Sequence, residues 1–241
     1  LREMDAAGVN RAVLVPPFLD GDRNDLVLEA ARLYPTRLAA MGRLDLEDPA
    51  SRDRIATWRD QPGMLGFRYS FHRPAIAHLL AERRVDWLWE RSEKSGVPIM
   101  VYVDHSVLHH IDDVAARYPN LKLAMCHMSL PLRKKDEDAF RGLDNLLALA
   151  KRPNVSVKVS ALPCYTTDPY PYRTVHPYVR RVYDAFGPKR MFWGSDLSRL
   201  PSTAMYRQAV TLFTEAMPWL SAGDLEWIMG RALNEWLGWN P

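Results

Sequence analysis

The stretch that decides the fold is residues 189–196, KRMFWGSD, because it joins a short apolar run to a carboxylate. Gly187-Pro188 precedes the run and Leu200-Pro201 follows it, so the pattern predicts a short buried strand. In a sheet of parallel strands, the residues that do chemistry lie at the carboxyl ends of the strands. The position of Asp196 therefore predicts a catalytic carboxylate. A cap for the next helix is the alternative, since serines follow closely.

Strand-like and helix-like segments alternate along the whole chain. This alternation predicts βα units and a parallel sheet, with short connections that often contain Pro or Gly. There is no linker, repeat or low-complexity stretch, so we predict a single domain over residues 1–241. The other predicted strands are residues 11–15, 38–44, 64–70, 98–103, 121–127 and 154–160, and the predicted helices are 25–34, 51–59, 85–95, 107–118, 140–151, 175–186, 205–217 and 224–237.

Seven strands are one fewer than a (β/α)₈ barrel needs to close its sheet. The chain opens with LREMDAAGV, which resembles the last turns of an amphipathic helix with Gly8 as its C-terminal stop. No strand and no initiator Met precede this helix. We therefore predict an α/β fold, a (β/α)₈ TIM barrel that lacks its first β-strand, with one βα unit absent ahead of Leu1. A doubly wound open sheet is the alternative.

Composition excludes several classes of protein. The 241 residues are 47% hydrophobic and 25% charged, with a formal charge of +3, which is ordinary for a globular protein. The run Arg133–Lys135 is followed at once by three acidic residues, so it predicts a solvated loop and no nucleic-acid partner. Two cysteines indicate neither a disulfide framework nor a cysteine zinc site. With no apolar run of membrane-spanning length and no signal peptide, a cytoplasmic enzyme is expected.

Alternation within the strands predicts which side chains point into the barrel. In residues 65–72, 98–104 and 154–160 one face is apolar and packs on helices, so the other face points inward. The inward set includes Arg68, His72, Tyr102, Asp104 and Lys158. Singly, each such cation usually pairs with a neighbouring acid, but their convergence predicts a site for an anionic small molecule such as a carboxylate.

Histidines give a weaker signal. His127 ends the predicted strand 121–127, where it could be a metal ligand, a general base, an orienting donor or a structural residue, and alternation does not settle its direction. His105 lies in a strand-to-helix loop and is a candidate to line the site. His109 and His110 fall within a helix and face different directions, so they are not expected to chelate a metal together.

Three phrases resemble a known family over essentially the whole chain. They are RYPNLKL at 117–123 followed by His127, FGPKRMFWGSD at 186–196, and MDAAGV at 4–9 running into the strand at 11–15. Together they resemble the amidohydrolase-related (amidohydrolase 2) metal-dependent hydrolases. The resemblance implies a (β/α)₈ barrel and an activity such as lactone hydrolysis, amide hydrolysis or non-oxidative decarboxylation. It also implies that Asp196 is a metal ligand or a general base and that His127 lines the same site.

Two departures bear on the metal that the resemblance implies. The family's first strand carries a His-x-His pair, and this chain has no such strand; the fifth strand often carries a histidine where this chain has Tyr102 or a neighbour. Asp196 and His127 alone are too few ligands for a mononuclear zinc site. The pattern is similar to lactonase members that work without metal, so a divalent metal, zinc above all, and no metal at all are both left open.

Three hypotheses follow. The first is a hydrolase for a small anionic lactone or a related cyclic ester or amide, in which Asp196 activates water and His127 orients or polarises. Arg68 would hold the anionic group, with Tyr102, Lys158, His72 and His105 as further substrate-binding residues. The second is a metal-dependent decarboxylase with Asp196 and His127 as ligands. The third is an inactive fragment or a binding protein. A homo-oligomer is left open by all three.

Overall fold

A curled parallel sheet forms the centre of the molecule. The computed structural model describes residues 1–17 and 21–240, and in these ranges seven strands pair in chain order, each parallel to its neighbours. All seven coincide with predicted strands, so the predicted barrel topology is confirmed. The strands are β1 (Ala12–Leu14), β2 (Leu38–Gly42), β3 (Met64–Ser70), β4 (Ile99–Tyr102), β5 (Leu123–Met125), β6 (Val155–Ser160) and β7 (Met191–Gly194).

The helices follow the strands, as the alternation predicts, with two additions, at Pro74–Ala81 and Asp136–Phe140. A helix beginning at Pro74 was missed by the sequence pattern; proline is favoured at the first helical position, where its missing N–H costs nothing. The helices are α1 (Arg2–Ala6), α2 (Asp25–Leu33), α3 (Pro74–Ala81), α4 (Asp86–Lys94), α5 (Leu108–Arg117), α6 (Asp136–Phe140), α7 (Leu143–Leu147), α8 (His176–Phe186), α9 (Tyr206–Thr214), α10 (Ala222–Glu226) and α11 (Ala232–Leu237).

Two predicted helices are wrong in kind. The segment predicted at 51–59 consists of 3₁₀ turns, Pro49–Ile55 and Trp58–Asp60, the first capped by the Asp48 carboxylate on the Ala50 amide. The segment predicted at 140–151 is broken at Gly142, whose backbone passes so close to His105 that an added Cβ would lie 2.7 Å from the His105 Cβ. A close approach of this kind requires glycine and interrupts the regular helix.

Two layers of core lie on the two faces of the sheet. The outer face packs Phe67, Val101 and Val157 against the helices, as strand alternation predicts. The inner face packs Met41 and Met100 with the apolar side of the C-terminal helix α11. The inner face is therefore a filled apolar core, which Arg68 and Lys158 adjoin in register with Met100 and Phe192.

The C-terminal segment lies near both edges of the sheet. Strands β1 and β7 are the two edges within the described ranges, and they do not pair with each other there. The Trp236 ring of α11 is 5.4 Å from the Phe192 ring on β7, and the Arg11 guanidinium lies 5.7 Å from the Trp239 ring. The C-terminal segment therefore contacts residues at both edges of the sheet.

No helix in residues 1–17 and 21–240 combines the length and the apolar character that crossing a bilayer demands.

Candidate active site

The last three strands all end in residues with a left-handed backbone. His127 has φ 55°, Ala161 has φ 59° and Asp196 has φ 54°. Non-glycine residues rarely adopt this conformation, which surrounding structure must hold and which clusters at functional sites. Because the chain turns at these points, strand alternation no longer dictates where a side chain goes. This is why the sequence left the direction of His127 open.

Asp196 and His127 face each other across a short gap. The His127 Nε2 atom lies 3.8 Å from the Asp196 Oδ2 atom, and both side chains are largely buried. The other ring nitrogen, Nδ1, is 2.8 Å from the Ser160 hydroxyl, which fixes the plane of the imidazole. Asp196 Oδ2 is buried and has no hydrogen-bond partner among the described residues. A gap of 3.8 Å is too long for a hydrogen bond, but one oxygen atom can bond to both atoms at once.

An arginine that sequence reasoning missed lies beside this pair. The Arg199 guanidinium is 3.5 Å from Asp196 Oδ2, and it donates to the Tyr165 hydroxyl at 3.1 Å. The one signal that could have indicated it is an arginine three residues after the strand-end aspartate. Tyr165, also missed, lies in the 3₁₀ turn Leu162–Tyr165 that follows β6.

Two other predicted residues, Tyr102 and His72, extend the cluster as a row of rings. The Tyr102 ring is 4.9 Å from the His72 ring and 5.7 Å from the His127 ring, edge-on to both. The Tyr102 hydroxyl donates to the Leu130 carbonyl at 2.6 Å, and burial raises the pKa of this phenol. Tyr102 therefore stays protonated and separates the two imidazoles.

Arg68 and Lys158 supply positive charge to the same region. Both are only partly buried, but the Nε atom of Arg68 is buried without a hydrogen-bond partner among the described residues. Neither side chain forms an ion pair with a carboxylate in residues 1–17 and 21–240. Lys158 passes over Gly194, where an added Cβ would be 3.5 Å from the Lys158 Cδ atom. That distance is an ordinary van der Waals contact, so the Lys158 stem packs beside Gly194.

These charges act on His127. Burial, followed by the positive charges of Lys158, Arg68 and Arg199, holds the pKa of His127 well below its usual value. The imidazole is therefore neutral at pH 7. The same set of contacts brings Arg68, Tyr102, His127, Lys158 and Asp196 to one end of the barrel.

The structure places the two remaining predicted residues differently. His72 has a buried Nδ1 atom without a hydrogen-bond partner in the described chain, and burial, then Arg68 and Arg73, lowers its pKa. His105 is buried, its Nε2 atom lies 3.0 Å from the Met128 carbonyl, and its ring packs on Gly142. His72 thus has a free atom at the ring cluster, whereas the contacts of His105 are those of a residue that supports the loop after β5.

The donor set does not fit a metal centre by itself. Asp196 Oδ2 and His127 Nε2 are close enough to share one ion, with bonds near 2.1 Å. No group of three or more His, Cys, Asp or Glu residues in residues 1–17 and 21–240 could hold a metal. Three nearby cations, Arg68, Lys158 and Arg199, also act against a bound dication. The described residues are better suited to an anion.

Known proteins share this architecture. A family model described as Amidohydrolase matches residues 1–232. An L-fucono-1,5-lactonase from Burkholderia ambifaria is 28% identical over 206 residues, covering 80% of this chain and 67% of the relative. An amidohydrolase from Burkholderia multivorans, solved with bound zinc, has a TM-score of 0.85 at 22% identity, over 99% of this chain and 87% of its own. A Pseudomonas putida structure described as a 2-pyrone-4,6-dicarboxylic acid hydrolase has a TM-score of 0.80 at 22% identity, over 100% and 86%.

Proposed function

This chain belongs to the amidohydrolase family of enzymes, and from that premise we propose that it hydrolyses a lactone or related cyclic ester or amide that carries a carboxylate. One observation carries the proposal. A buried carboxylate oxygen with no hydrogen-bond partner in the described chain faces a neutral histidine, while Arg68 and Lys158 stand nearby without carboxylate partners. Unsatisfied buried groups of this kind need an explanation, and a water molecule and an anionic substrate supply one.

In the proposed reaction, Asp196 is the general base. A water molecule hydrogen-bonded to Asp196 Oδ2 gives a proton to the carboxylate while its oxygen attacks the carbonyl carbon of the ring, whose carbonyl oxygen accepts from His127 Nε2. The tetrahedral intermediate collapses, the bond between that carbon and the ring heteroatom breaks, and the proton returns from Asp196 to the leaving heteroatom. For a lactone, the product is an open hydroxy acid.

His127 would polarise the carbonyl as a neutral donor. We assign the tautomer in which the Ser160 hydroxyl donates to Nδ1, so that Nε2 carries the hydrogen. Because the pKa of His127 is held low, the ring does not become a cation in competition with Arg68 and Lys158. A fixed donor aimed at the developing oxyanion is worth about 3 kcal/mol in comparable sites.

Arg68 and Lys158 would hold the substrate's carboxylate. A guanidinium binds a carboxylate through two parallel hydrogen bonds, and Arg68 offers a buried Nε atom for one of them. The ammonium group of Lys158 adds charge without demanding a fixed geometry. The name of one relative, a lactonase, agrees with a cyclic ester, and the name of a structural neighbour, a pyrone dicarboxylic acid hydrolase, agrees with a ring that carries a carboxylate.

A substrate panel tests the proposal. Purified protein is assayed for acid release with pairs of lactones that differ only in a carboxylate, and for carbon dioxide release with aromatic carboxylic acids. We expect ring opening, with the carboxylated member of each pair preferred by kcat/KM. Preference for the neutral member would contradict the anion site, and carbon dioxide release without ring opening would identify a decarboxylase.

The metal is tested on the same sample. Because the described residues supply two donors, we expect metal analysis to find less than one equivalent and a chelator to leave ring opening unchanged. Stoichiometric zinc, with activity lost on chelation and restored on zinc addition, would overturn this part of the proposal.

A further inference from the structure

The turn that carries Asp196 is folded back on itself by Arg199. The Arg199 amide donates to the Asp196 carbonyl at 2.9 Å, and its guanidinium returns to the Asp196 carboxylate at 3.5 Å. The other described side-chain contact of this carboxylate within the turn is the Ser198 hydroxyl, 3.4 Å from Oδ1. Leu197 and Ser198, which lie between Asp196 and Arg199, are exposed.

The second partner of Arg199 belongs to the neighbouring strand end. The guanidinium donates to the Tyr165 hydroxyl at 3.1 Å and its centre lies 5.0 Å from the Tyr165 ring. Tyr165 is fully buried, so its position is fixed by packing. Its hydroxyl is 3.4 Å from the Leu130 carbonyl, which also accepts from Tyr102. Arg199 therefore connects the exposed turn after β7 to rigid groups that follow β4, β5 and β6.

We propose that Arg199 is a positioning residue, which ties the Asp196 carboxylate to Tyr165 and so keeps Oδ2 3.8 Å from His127. This inference rests on the proposed role of Asp196 as general base. A guanidinium suits the task, since its Nη1 atom reaches both Asp196 Oδ2 and the Tyr165 hydroxyl while its carbon lies over the Tyr165 ring. Arg199 differs in this from Arg68, whose Nε atom is buried without a partner in the described chain.

Kinetics of Arg199→Gln separate positioning from substrate binding. A misplacement of about 1 Å at a reacting group costs up to about 10²-fold, so we expect kcat to fall ~10–10²-fold while KM changes less than about twofold. Arg199→Lys should recover part of the loss. Arg207→Gln, an exposed arginine on α9, is the matched control and should behave as wild type. A rise in KM for carboxylated lactones with kcat unchanged would overturn the proposal and make Arg199 a substrate ligand.

Tyr165→Phe tests the hydrogen bond from Arg199 to the Tyr165 hydroxyl. This change keeps the ring under the guanidinium and removes only the hydroxyl acceptor, so kcat should fall less than in Arg199→Gln. The double variant should be no slower than Arg199→Gln alone, because both changes break one connection. Independent, additive losses would show that the two residues do not act together.

Crystal structures give a readout that needs no substrate. We expect the Asp196 Oδ2 to His127 Nε2 distance to change by about 1 Å in Arg199→Gln, the displacement that the kinetic estimate assumes, and to be unchanged in Arg207→Gln. An unmoved carboxylate would overturn the positioning role. If the wild-type protein opens no lactone, the proposed function fails, and this comparison still decides whether Arg199 positions Asp196. Should Arg199→Gln not fold, the same measurement is made on Arg199→Lys and Tyr165→Phe.

Discussion

Arginines of the outer helical layer have carboxylate partners, whereas Arg68 and Lys158 at the barrel mouth have none among the described residues. On the outer layer, Arg117 donates to Asp86 at 2.8 and 3.1 Å and to Asp113 at 2.9 Å, and Arg152 donates to Asp112 at 2.7 Å. These pairs connect α5 to α4 and to the turn before β6. At the mouth, Arg68 and Lys158 have no carboxylate partner in the described ranges.

Paired cations of the outer layer stabilise the fold, whereas cations at the mouth that are unpaired within the described chain are available to bind a ligand. A partly buried charge costs free energy unless a partner compensates, so pairing is the expected arrangement when stability alone matters. Charges left unpaired beside a carboxylate and a neutral histidine lower the stability of the free protein. Stability lost at active sites in this way is the common cost of function.

Of the substitutions at the barrel mouth, Asp196→Asn should have the largest effect on kcat. The amide is nearly isosteric, so folding should be retained while the proton acceptor is lost. General base catalysis contributes ~10²–10⁴-fold, and kcat on the best lactone should fall by about that factor. Asp184→Asn, which removes an exposed carboxylate paired with Arg180, is the control and should keep wild-type turnover. Normal turnover in Asp196→Asn would exclude this carboxylate as the base.

The sequence predicts the side-chain directions of the mouth residues within the regular strands, but not those beyond the strand ends. From Phe67 onward in β3, and throughout β6, side chains alternate between the two faces, so alternation predicted that Arg68 and Lys158 point inward. Beyond the strands, the left-handed residues His127 and Asp196 break the period, and the contacts of Arg199 depend on a turn that no pattern specifies. The sheet was predictable because its signal repeats, whereas the partner of the catalytic carboxylate depends on one local turn.

Arg68→Met tests whether this arginine binds the carboxylate of the substrate. A charge-assisted hydrogen bond contributes about 1.5–3 kcal/mol, so KM for carboxylated lactones should rise about 10–100-fold with a smaller change in kcat. For the neutral member of each lactone pair, KM should stay within about twofold of wild type, since it loses no such bond. Arg180→Met, on the surface of α8, is the matched control. Equal losses for both members of a pair would mean that Arg68 does not read the carboxylate.

The free energies of unfolding of Arg68→Met and Arg117→Met test the comparison from the side of the outer layer. Removing Arg117 leaves Asp86 and Asp113 with Arg83 alone, at 3.1 and 3.9 Å, and should lower the free energy of unfolding by about 1 kcal/mol. Arg68→Met removes an uncompensated charge and should leave the free energy of unfolding unchanged or higher. Urea denaturation monitored by tryptophan fluorescence measures both. A larger loss for Arg68→Met than for Arg117→Met would reverse the comparison.

The smallest expected effect is a pH dependence of stability that belongs to His127. Its folded pKa is depressed by burial and by Lys158, Arg68 and Arg199, while the unfolded chain should titrate near the usual value of about 6.5. Below that pH the unfolded state binds a proton on His127 that the folded state does not bind, so the free energy of unfolding falls as pH falls. The slope from this one group is at most about 1.4 kcal/mol per pH unit, and it ends at the folded pKa. Above pH 7 the contribution is constant.

The measurement is urea denaturation of wild type and His127→Asn between pH 7 and pH 5. Asparagine does not titrate, so the variant should lose less stability over this range, and the difference between the two curves isolates His127 from the other histidines. Adding Arg68→Met to both proteins removes one of the three charges and should reduce the difference, because the folded pKa then lies closer to the unfolded one. Parallel curves for wild type and His127→Asn would mean that folding does not shift the pKa of His127, and would contradict the depressed pKa on which the neutral imidazole of the mechanism rests.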